Sequence, residues 1–135
     1  LFSKMLKTKS ILAQKEDSDG LRISVMSRHT LEDGVTIDSR IKQNSYNIWD
    51  KELAPPAKLV GAYYRGELSF EDFYTKYQRH IRSDEMRSKV KFLAKEALTK
   101  DITLLCIEEK PEKCHRNILA KECQKYEPNL KVLIE

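Results

Sequence analysis

The sequence contains no apolar run close to the length that a membrane-spanning helix needs. Such a helix requires about 20 consecutive apolar residues, and here lysines interrupt even the apolar start of the chain, at Lys4, Lys7 and Lys9. That start also lacks the continuous apolar core and small-residue cleavage site of a secretory signal peptide. These absences predict a soluble, cytoplasmic protein without a membrane partner.

Cysteine is scarce, with three residues at Cys106, Cys114 and Cys123. An odd number of cysteines clustered near one end of the chain is a poor framework for disulfides, so we expect reduced thiols. The close Cys-x-x-Cys pairs typical of structural zinc sites are also missing. A zinc site formed by these cysteines and His115 is the less favoured hypothesis, so we predict no metal site and identify no cofactor motif.

The composition is that of one globular domain. The chain has 135 residues, of which 40% are hydrophobic and 34% charged, and its net charge of +4 is a mild bias. One hydrophobic core typically serves a chain of roughly 100 to 200 residues. No internal repeat, linker or low-complexity tract interrupts the sequence, so residues 1–135 are predicted to form a single domain.

The order of the apolar patterns predicts an α/β fold. Segments typical of strands span residues 7–12, 21–26, 102–107 and 130–134. The second of them alternates apolar with polar residues, which is typical of a half-buried strand. Helical spacing follows Ser69, begins again near Ser83, and recurs over residues 114–126. We therefore expect a small, mostly parallel sheet flanked by helices, ending in a β-α-β unit.

Residues 27–50 show no clear periodicity, and we assign no element to most of them. Trp49 and Leu53 are predicted to anchor this stretch to the core, because large aromatic side chains usually serve packing. Pro55 and Pro56 exclude a continuous helix across that point.

The best candidate site lies in residues 108–116, where a predicted strand leads into the last helix. In open α/β sheets, ligands bind beyond the carboxyl ends of the strands, near helix N-termini. Glu108 leaves the strand, and Cys114, His115 and Arg116 open the helix. Backbone N–H groups at that opening, together with Arg116, suit a phosphate or carboxylate. An anionic small molecule, with nucleotides among the candidates, is therefore the predicted ligand.

Arg28 and His29 follow the strand predicted over residues 21–26. If that strand runs parallel to the strand of residues 102–107, the loops after both strands open on the same edge of the sheet. Arg28 and His29 are then further ligand-binding candidates beside Arg116.

Cys114, Glu108 and His115 are the candidate catalytic residues. A helix start favours the thiolate form of a cysteine, which makes Cys114 a candidate nucleophile. His115 points about 100° away from Cys114 on a helix, so the base for Cys114 would be Glu108 or His29. Glu108 and His115 are the candidates for general acid-base work. The alternative for Cys114 is a small buried residue that supports the fold, the commoner role of intracellular cysteines.

Two other functions are compatible with the sequence. Residues 76–100 carry eight basic side chains against three acidic ones, a surface that would suit a nucleic-acid-binding module. Such a run is more often a solvated helix surface. The third hypothesis is a structural or interaction protein in which changes at Glu108, Cys114 and Arg116 have no effect on activity.

Residues 104–120, with Glu108 and the triplet Cys114-His115-Arg116, resemble the C-terminal hallmark of the domain-of-unknown-function family 488, which includes the YeaO-like proteins. Residues 20–26 and residues 49–55 are also similar to that family. The resemblance continues through Phe70, Phe73 and Tyr77. Taken together, these matches span most of the chain.

The resemblance implies an α/β domain with a site for a small ligand, and it implies no particular reaction. The chain departs from the family pattern after the second strand. YeaO-like relatives carry an Arg-x-x-Pro-Arg-Gly-like loop there, whereas this chain has residues 27–34, in which Arg28 stands in for the family's arginine. The different neighbours of Arg28 imply a different substrate or activity.

Overall fold

The computed structural model describes residues 4–108 and 114–135. In these residues five strands form one sheet with the spatial order β3-β2-β4-β1-β5, and every neighbouring pair is parallel. The strands are β1 (Met5–Ser10), β2 (Leu21–Ser24), β3 (Ile48–Trp49), β4 (Ile102–Cys106) and β5 (Lys131–Ile134). The predicted α/β class with a parallel sheet is confirmed.

Four α-helices lie in the same part of the chain. They are α1 (Ala57–Tyr64), α2 (Phe70–Ile81), α3 (Asp84–Ala97) and α4 (His115–Tyr126). The hydroxyls of Ser69 and Ser83 cap α2 and α3 by accepting hydrogen bonds from the backbone N–H groups of Asp72 and Met86. Both predicted helix starts are confirmed. None of the described helices is long and apolar enough to cross a membrane.

One face of the sheet packs against the helices. Leu6, Ile23 and Leu104 from three neighbouring strands belong to one buried apolar cluster. Helical members of that cluster are Tyr77, Ile81, Val90, Leu93, Ala94, Ile118 and Leu119. Leu53 is buried in the same cluster, as predicted, whereas Trp49 is only half-buried and lies outside it.

The other face of the sheet is also buried, and it carries charged residues beside a second apolar cluster that includes Leu105. Lys7 and Arg22 lie beside Thr103 in the strand register, and all three side chains are buried. Asp19, fully buried before β2, accepts a hydrogen bond from Arg22 at 2.5 Å and forms ion pairs with Lys7 at 3.2 Å and Lys9 at 3.1 Å. We call these four charged residues the Asp19 ion cluster.

The predicted half-buried pattern of residues 21–26 is wrong. Arg22 and Ser24, the expected solvent-facing positions, are 2% and 0% exposed. The chain between β1 and β2 returns across this face of the sheet, because Asp19 pairs with Lys7 and Lys9 of β1 as well as with Arg22. The polar residues of β2 therefore do not contact water. Arg22 belongs to the Asp19 ion cluster, and Ser24 bonds to a nearby side chain.

The C-terminal β4-α4-β5 unit has the predicted parallel strands, but they are not neighbours. β1 lies between them and pairs with β4 on one side and β5 on the other. The predicted turn with Glu109 and Pro111 lies outside the described residues.

Substitution Asp19→Asn should strongly destabilise the fold. Burial by itself raises the pKa of Asp19, but hydrogen bonds from the Glu16 backbone and from Lys9, Lys7 and Arg22 outweigh burial and lower that pKa to about 2. Removing the carboxylate leaves buried cations without their counter-ion, which typically costs about 3–5 kcal/mol. Urea denaturation at neutral pH measures this loss.

The matched control is Asp84→Asn, at an exposed carboxyl group on α3. We expect its urea midpoint to stay at the wild-type value. A midpoint for Asp19→Asn equal to that of the control would show that the Asp19 ion cluster does not stabilise the fold.

Candidate functional site

A cavity of about 1200 Å³ opens at the carboxyl ends of β1, β2 and β4. Residues that follow these strands line it, together with the facing sides of α1 and α2, the start of α4 and the loop of residues 30–40. Parallel strands place their carboxyl ends on one edge of the sheet, which is where such folds bind ligands. The cavity is therefore at the edge that the sequence predicted.

Four of the six predicted site residues line this cavity. They are Arg28, Glu108, Cys114 and His115. The other two, His29 and Arg116, are not among its lining residues in the described part of the chain.

Glu108 is half-buried where the chain leaves β4. One of its carboxylate oxygens, Oε1, accepts a hydrogen bond from the hydroxyl of Tyr64 at 2.8 Å. Burial, followed by the nearby charge of Glu108, raises the pKa of Tyr64 above its ordinary value. Tyr64 therefore remains a hydrogen-bond donor at any physiological pH and restrains the Glu108 carboxylate at the cavity wall.

Cys106, Cys114 and His115 form a buried group, which we call the thiol-imidazole cluster. They are 3%, 2% and 8% exposed, and one potential metal-ligand atom from each lies within 4.8 Å of the other two. His115 Nδ1 is 3.6 Å from Cys106 Sγ. Cys114 is the N-cap residue of α4, and all three cysteines of the chain are unbridged thiols.

The pKa values of the two cysteines in this cluster are shifted in opposite directions. Burial raises the pKa of Cys114 well above its ordinary value, and its hydrogen bond to Cys106 raises it further. Burial also acts against the Cys106 thiolate, but hydrogen bonds from Cys114 and the Glu108 backbone and the charge of Arg116 outweigh it and lower the pKa of Cys106. Burial therefore opposes the activation that a helix start gives a cysteine, and the role of Cys114 as a nucleophile stays a prediction.

Arg116 lies inside the protein and does not line the cavity. Its side chain is 0% exposed, and its guanidinium donates to the backbone carbonyl oxygens of Glu108 at 2.6 Å and Glu135 at 3.1 Å. The guanidinium thus connects the chain after β4 to the chain after β5. A direct anion contact by Arg116 stays a prediction, and the contacts present in the structure position Glu108.

His29 packs beside the cavity rather than in it. Its ring stacks on the Trp49 indole with 3.6 Å between centroids, and its Nε2 lies 2.8 Å from Ser24 Oγ. Arg28, the preceding residue, extends along the loop instead and donates a 3.3 Å hydrogen bond to the backbone oxygen of Glu32. The two adjacent residues therefore have separate surroundings.

Sequence reasoning missed the aromatic wall of the cavity. Tyr63 and Tyr64 of α1 and Phe73 of α2 all line it. From the sequence, Phe73 is named only as part of the family resemblance, and the two tyrosines are not singled out. Their adjacency at the end of α1 was the available signal, because neighbouring helical residues cannot both face the same core stripe.

The pH dependence of stability should contain a contribution from His29. Burial, followed by the charge of Lys51, lowers the pKa of His29 to about 4 from 6.5. Because folding disfavours the protonated ring, this residue destabilises the fold progressively as pH falls from about 6.5 towards 4. We expect the melting temperature of His29→Gln to fall less than that of wild type between about pH 7 and pH 5.

Fluorescence of Trp49, the single tryptophan, gives a local readout of the same titration. His80→Gln, on α2, is the control and should keep the wild-type pH dependence. An unchanged pH profile in His29→Gln would contradict the assignment.

Comparison with known proteins gives one family match. The family model described as "Active DUF488-N3 subclade" matches residues 6–127, which include β1 except its first residue, β2 to β4, the four described helices and the residues that line the cavity. No curated protein and no solved structure matches the chain.

The match covers both the residues that suggested domain-of-unknown-function family 488 and the loop that departs from its YeaO-like pattern. The chain belongs to the DUF488-N3a family, the active DUF488-N3 subclade.

Proposed function

We propose that the protein is an enzyme that binds an anionic small molecule of nucleotide type in the cavity at the carboxyl ends of β2 and β4. The observation that carries the proposal is that Arg28 and Glu108 line the same cavity. A cation to hold the ligand and a carboxylate to move a proton are the minimum requirements for such an enzyme.

Arg28 is the residue suited to the anionic end of the ligand. Among the described residues it forms no ion pair, and its hydrogen bond to Glu32 is long. The neighbouring Arg40 is engaged by Asp38, with hydrogen bonds of 2.9 and 2.8 Å. Asp33 accepts hydrogen bonds from the backbone and hydroxyl of Thr36. The carboxylates of Asp38 and Asp33 thus have hydrogen-bond partners other than Arg28, although its charge still acts on Asp33, and the Arg28 guanidinium has donors for a phosphate or carboxylate.

The ring of a nucleotide needs a flat apolar surface, and aromatic side chains of the cavity provide one. Tyr63, Tyr64 and Phe73 line the cavity together with the apolar side chains of Leu12, Met26 and Val60. Ligand sites are typically apolar with a few polar groups that orient the ligand. A nucleotide combines a flat ring with an anionic group, and therefore fits both parts of the lining.

Glu108 is the proposed general acid-base. The Tyr64 hydroxyl restrains one carboxylate oxygen, and Arg116 bonds to the backbone oxygen of Glu108 itself. Proton transfer requires a carboxylate in a defined position, and these two contacts restrain both the carboxylate and the backbone of Glu108. The description of the family as an active subclade supports an enzyme rather than a purely structural protein.

The charge pattern of residues 76–100 gives less support to nucleic-acid binding. Arg82 pairs with Glu122, Arg87 with Asp84, Lys89 with Asp50 and Glu52, and Lys100 with Glu96. Half of the basic side chains in this stretch therefore have acidic partners within the protein, and the local excess of positive charge is smaller than the sequence suggests.

Substitution Arg28→Met should weaken binding of AMP, the probe we select for a planar anionic ligand. Hydrogen bonds to charged groups contribute about 1.5–3 kcal/mol, which corresponds to a loss of roughly 10- to 100-fold in affinity. Isothermal titration at low salt measures the dissociation constant. Arg79→Met, at an exposed arginine on α2, is the control and should bind AMP like wild type. Equal affinity in Arg28→Met and wild type would contradict the role of Arg28.

Substitution Glu108→Gln should abolish turnover while AMP remains bound. Loss of a general acid-base typically lowers the rate by about 10²- to 10⁴-fold. Proton and phosphorus NMR of a mononucleotide panel incubated with the protein reports which bond is cleaved or transferred. Glu85→Gln, at an exposed residue of α3, should keep the wild-type rate. Full turnover in Glu108→Gln would remove Glu108 from the mechanism.

A further inference from the structure

The proposed function leaves the thiol-imidazole cluster without a role. Cys106 ends β4, Cys114 is the N-cap residue of α4 and His115 is its first residue, so the fold brings together side chains eight and nine positions apart in the sequence. All three are buried and all three line the cavity. Two thiols and an imidazole are soft and borderline donors of the kind that bind zinc and related ions.

The hydrogen bonds of His115 determine which of its nitrogens is available. Nε2 lies 2.5 Å from the backbone oxygen of Val25, and a carbonyl oxygen can only accept, so Nε2 carries the proton. Nδ1, on the side of Cys106 Sγ, then has its lone pair available. An imidazole that donates its other N–H to a carbonyl is the usual arrangement of a metal-binding histidine.

Neighbouring contacts keep this imidazole in place. The ring of Tyr77 meets the His115 ring edge-on, with 5.4 Å between centroids, and the Tyr77 hydroxyl donates to the backbone oxygen of Leu53 at 2.5 Å. Tyr77 is itself fully buried in the core. The ligand atom of His115 is therefore oriented by packed surroundings before anything binds.

The spacing of the donor atoms suits a tetrahedral ion. Zn–S and Zn–N bonds of about 2.3 and 2.0–2.1 Å at tetrahedral angles place sulfur and nitrogen about 3.6 Å apart, and Cys106 Sγ and His115 Nδ1 are 3.6 Å apart. The three donor atoms lie within 4.8 Å of one another, so small side-chain rotations bring all of them to bonding distance.

We propose that Cys106, Cys114 and His115 bind a divalent transition-metal ion, zinc by donor type, with the fourth position directed to the cavity. Three protein ligands and one open position are typical of catalytic rather than structural zinc sites. Binding converts both thiols to thiolates and releases their remaining protons to solvent, so that two negative charges balance the ion. The open position would take water or an oxygen of the ligand held by Arg28.

The inference does not depend on the acid-base role of Glu108, which is not one of the three ligands. Glu108→Gln should bind the ion as wild type does, even where turnover is lost. Failure of the metal site and failure of the proposed function are therefore separate results.

Titration of the reduced full-length protein with Co²⁺ under anaerobic conditions tests the site. We expect one equivalent to give sulfur-to-cobalt charge-transfer absorption and the visible bands of tetrahedral coordination, and zinc to displace it. X-ray absorption of the zinc-loaded protein should show two sulfur ligands and one imidazole. Absence of the charge-transfer band in folded, reduced wild type overturns the proposal without any substitution.

Variants assign the ligands. Cys106→Ser and Cys114→Ser should each weaken Co²⁺ binding by more than about 100-fold, beyond the usual effect of losing an outer-shell contact, with circular dichroism confirming that both remain folded. Cys123→Ser is the matched control, because Cys123 is a buried thiol of α4 near the Val90 backbone and outside the cluster. Loss of the band in Cys123→Ser, or its persistence in both other variants, would contradict the assignment.

Discussion

The buried carboxylate of Asp19 is the counter-ion that three basic side chains on one face of the sheet share. A parallel sheet must be covered on both faces, and helices normally provide the cover. Here α2, α3 and α4 contribute to the core on one side, and the short connection of residues 11–20 returns the chain across the other. That connection brings Asp19 to Lys7, Lys9 and Arg22, so that strands with lysine and arginine can be buried. Without this carboxylate, buried cations on two strands of the sheet would lose the counter-ion that they share.

The same sheet order creates the site. β4 lies between β2 and β1, so Arg28 after β2 and Glu108 after β4 come to one edge although eighty residues of chain separate them. Arg116 then connects the backbone at Glu108 to that at Glu135. The two terminal nitrogens of this fully buried guanidinium are satisfied by these backbone oxygens, whereas its Nε has no hydrogen-bond partner among the described residues. The position of Glu108 therefore depends on the buried core of α4 as much as on its own strand.

Two groups of candidate functional residues line different parts of the cavity. Glu108 and Tyr64 lie on the side of α1, whereas Cys106, Cys114 and His115 lie where β4 meets α4. Burial raises the pKa of Cys114 and so opposes its activation at the helix start, whereas the pKa of Cys106 is lowered. Burial next to an oriented imidazole is, in contrast, what a metal ion requires.

Local pattern in the sequence determined the helices, their serine caps and the parallel strands, because capping by Ser69 and Ser83 and the apolar spacing behind them act over a few residues. It also determined the family and the general position of the cavity. Three features depend on contacts between distant segments, and only the tertiary structure decided them. They are the burial of Arg22, the inward orientation of the Arg116 side chain, and the approach of Cys106 to Cys114. The residues that neutralise or cover a buried side chain are often distant from it in the sequence. Periodicity along the chain therefore does not predict which side chains are buried or paired with a charge.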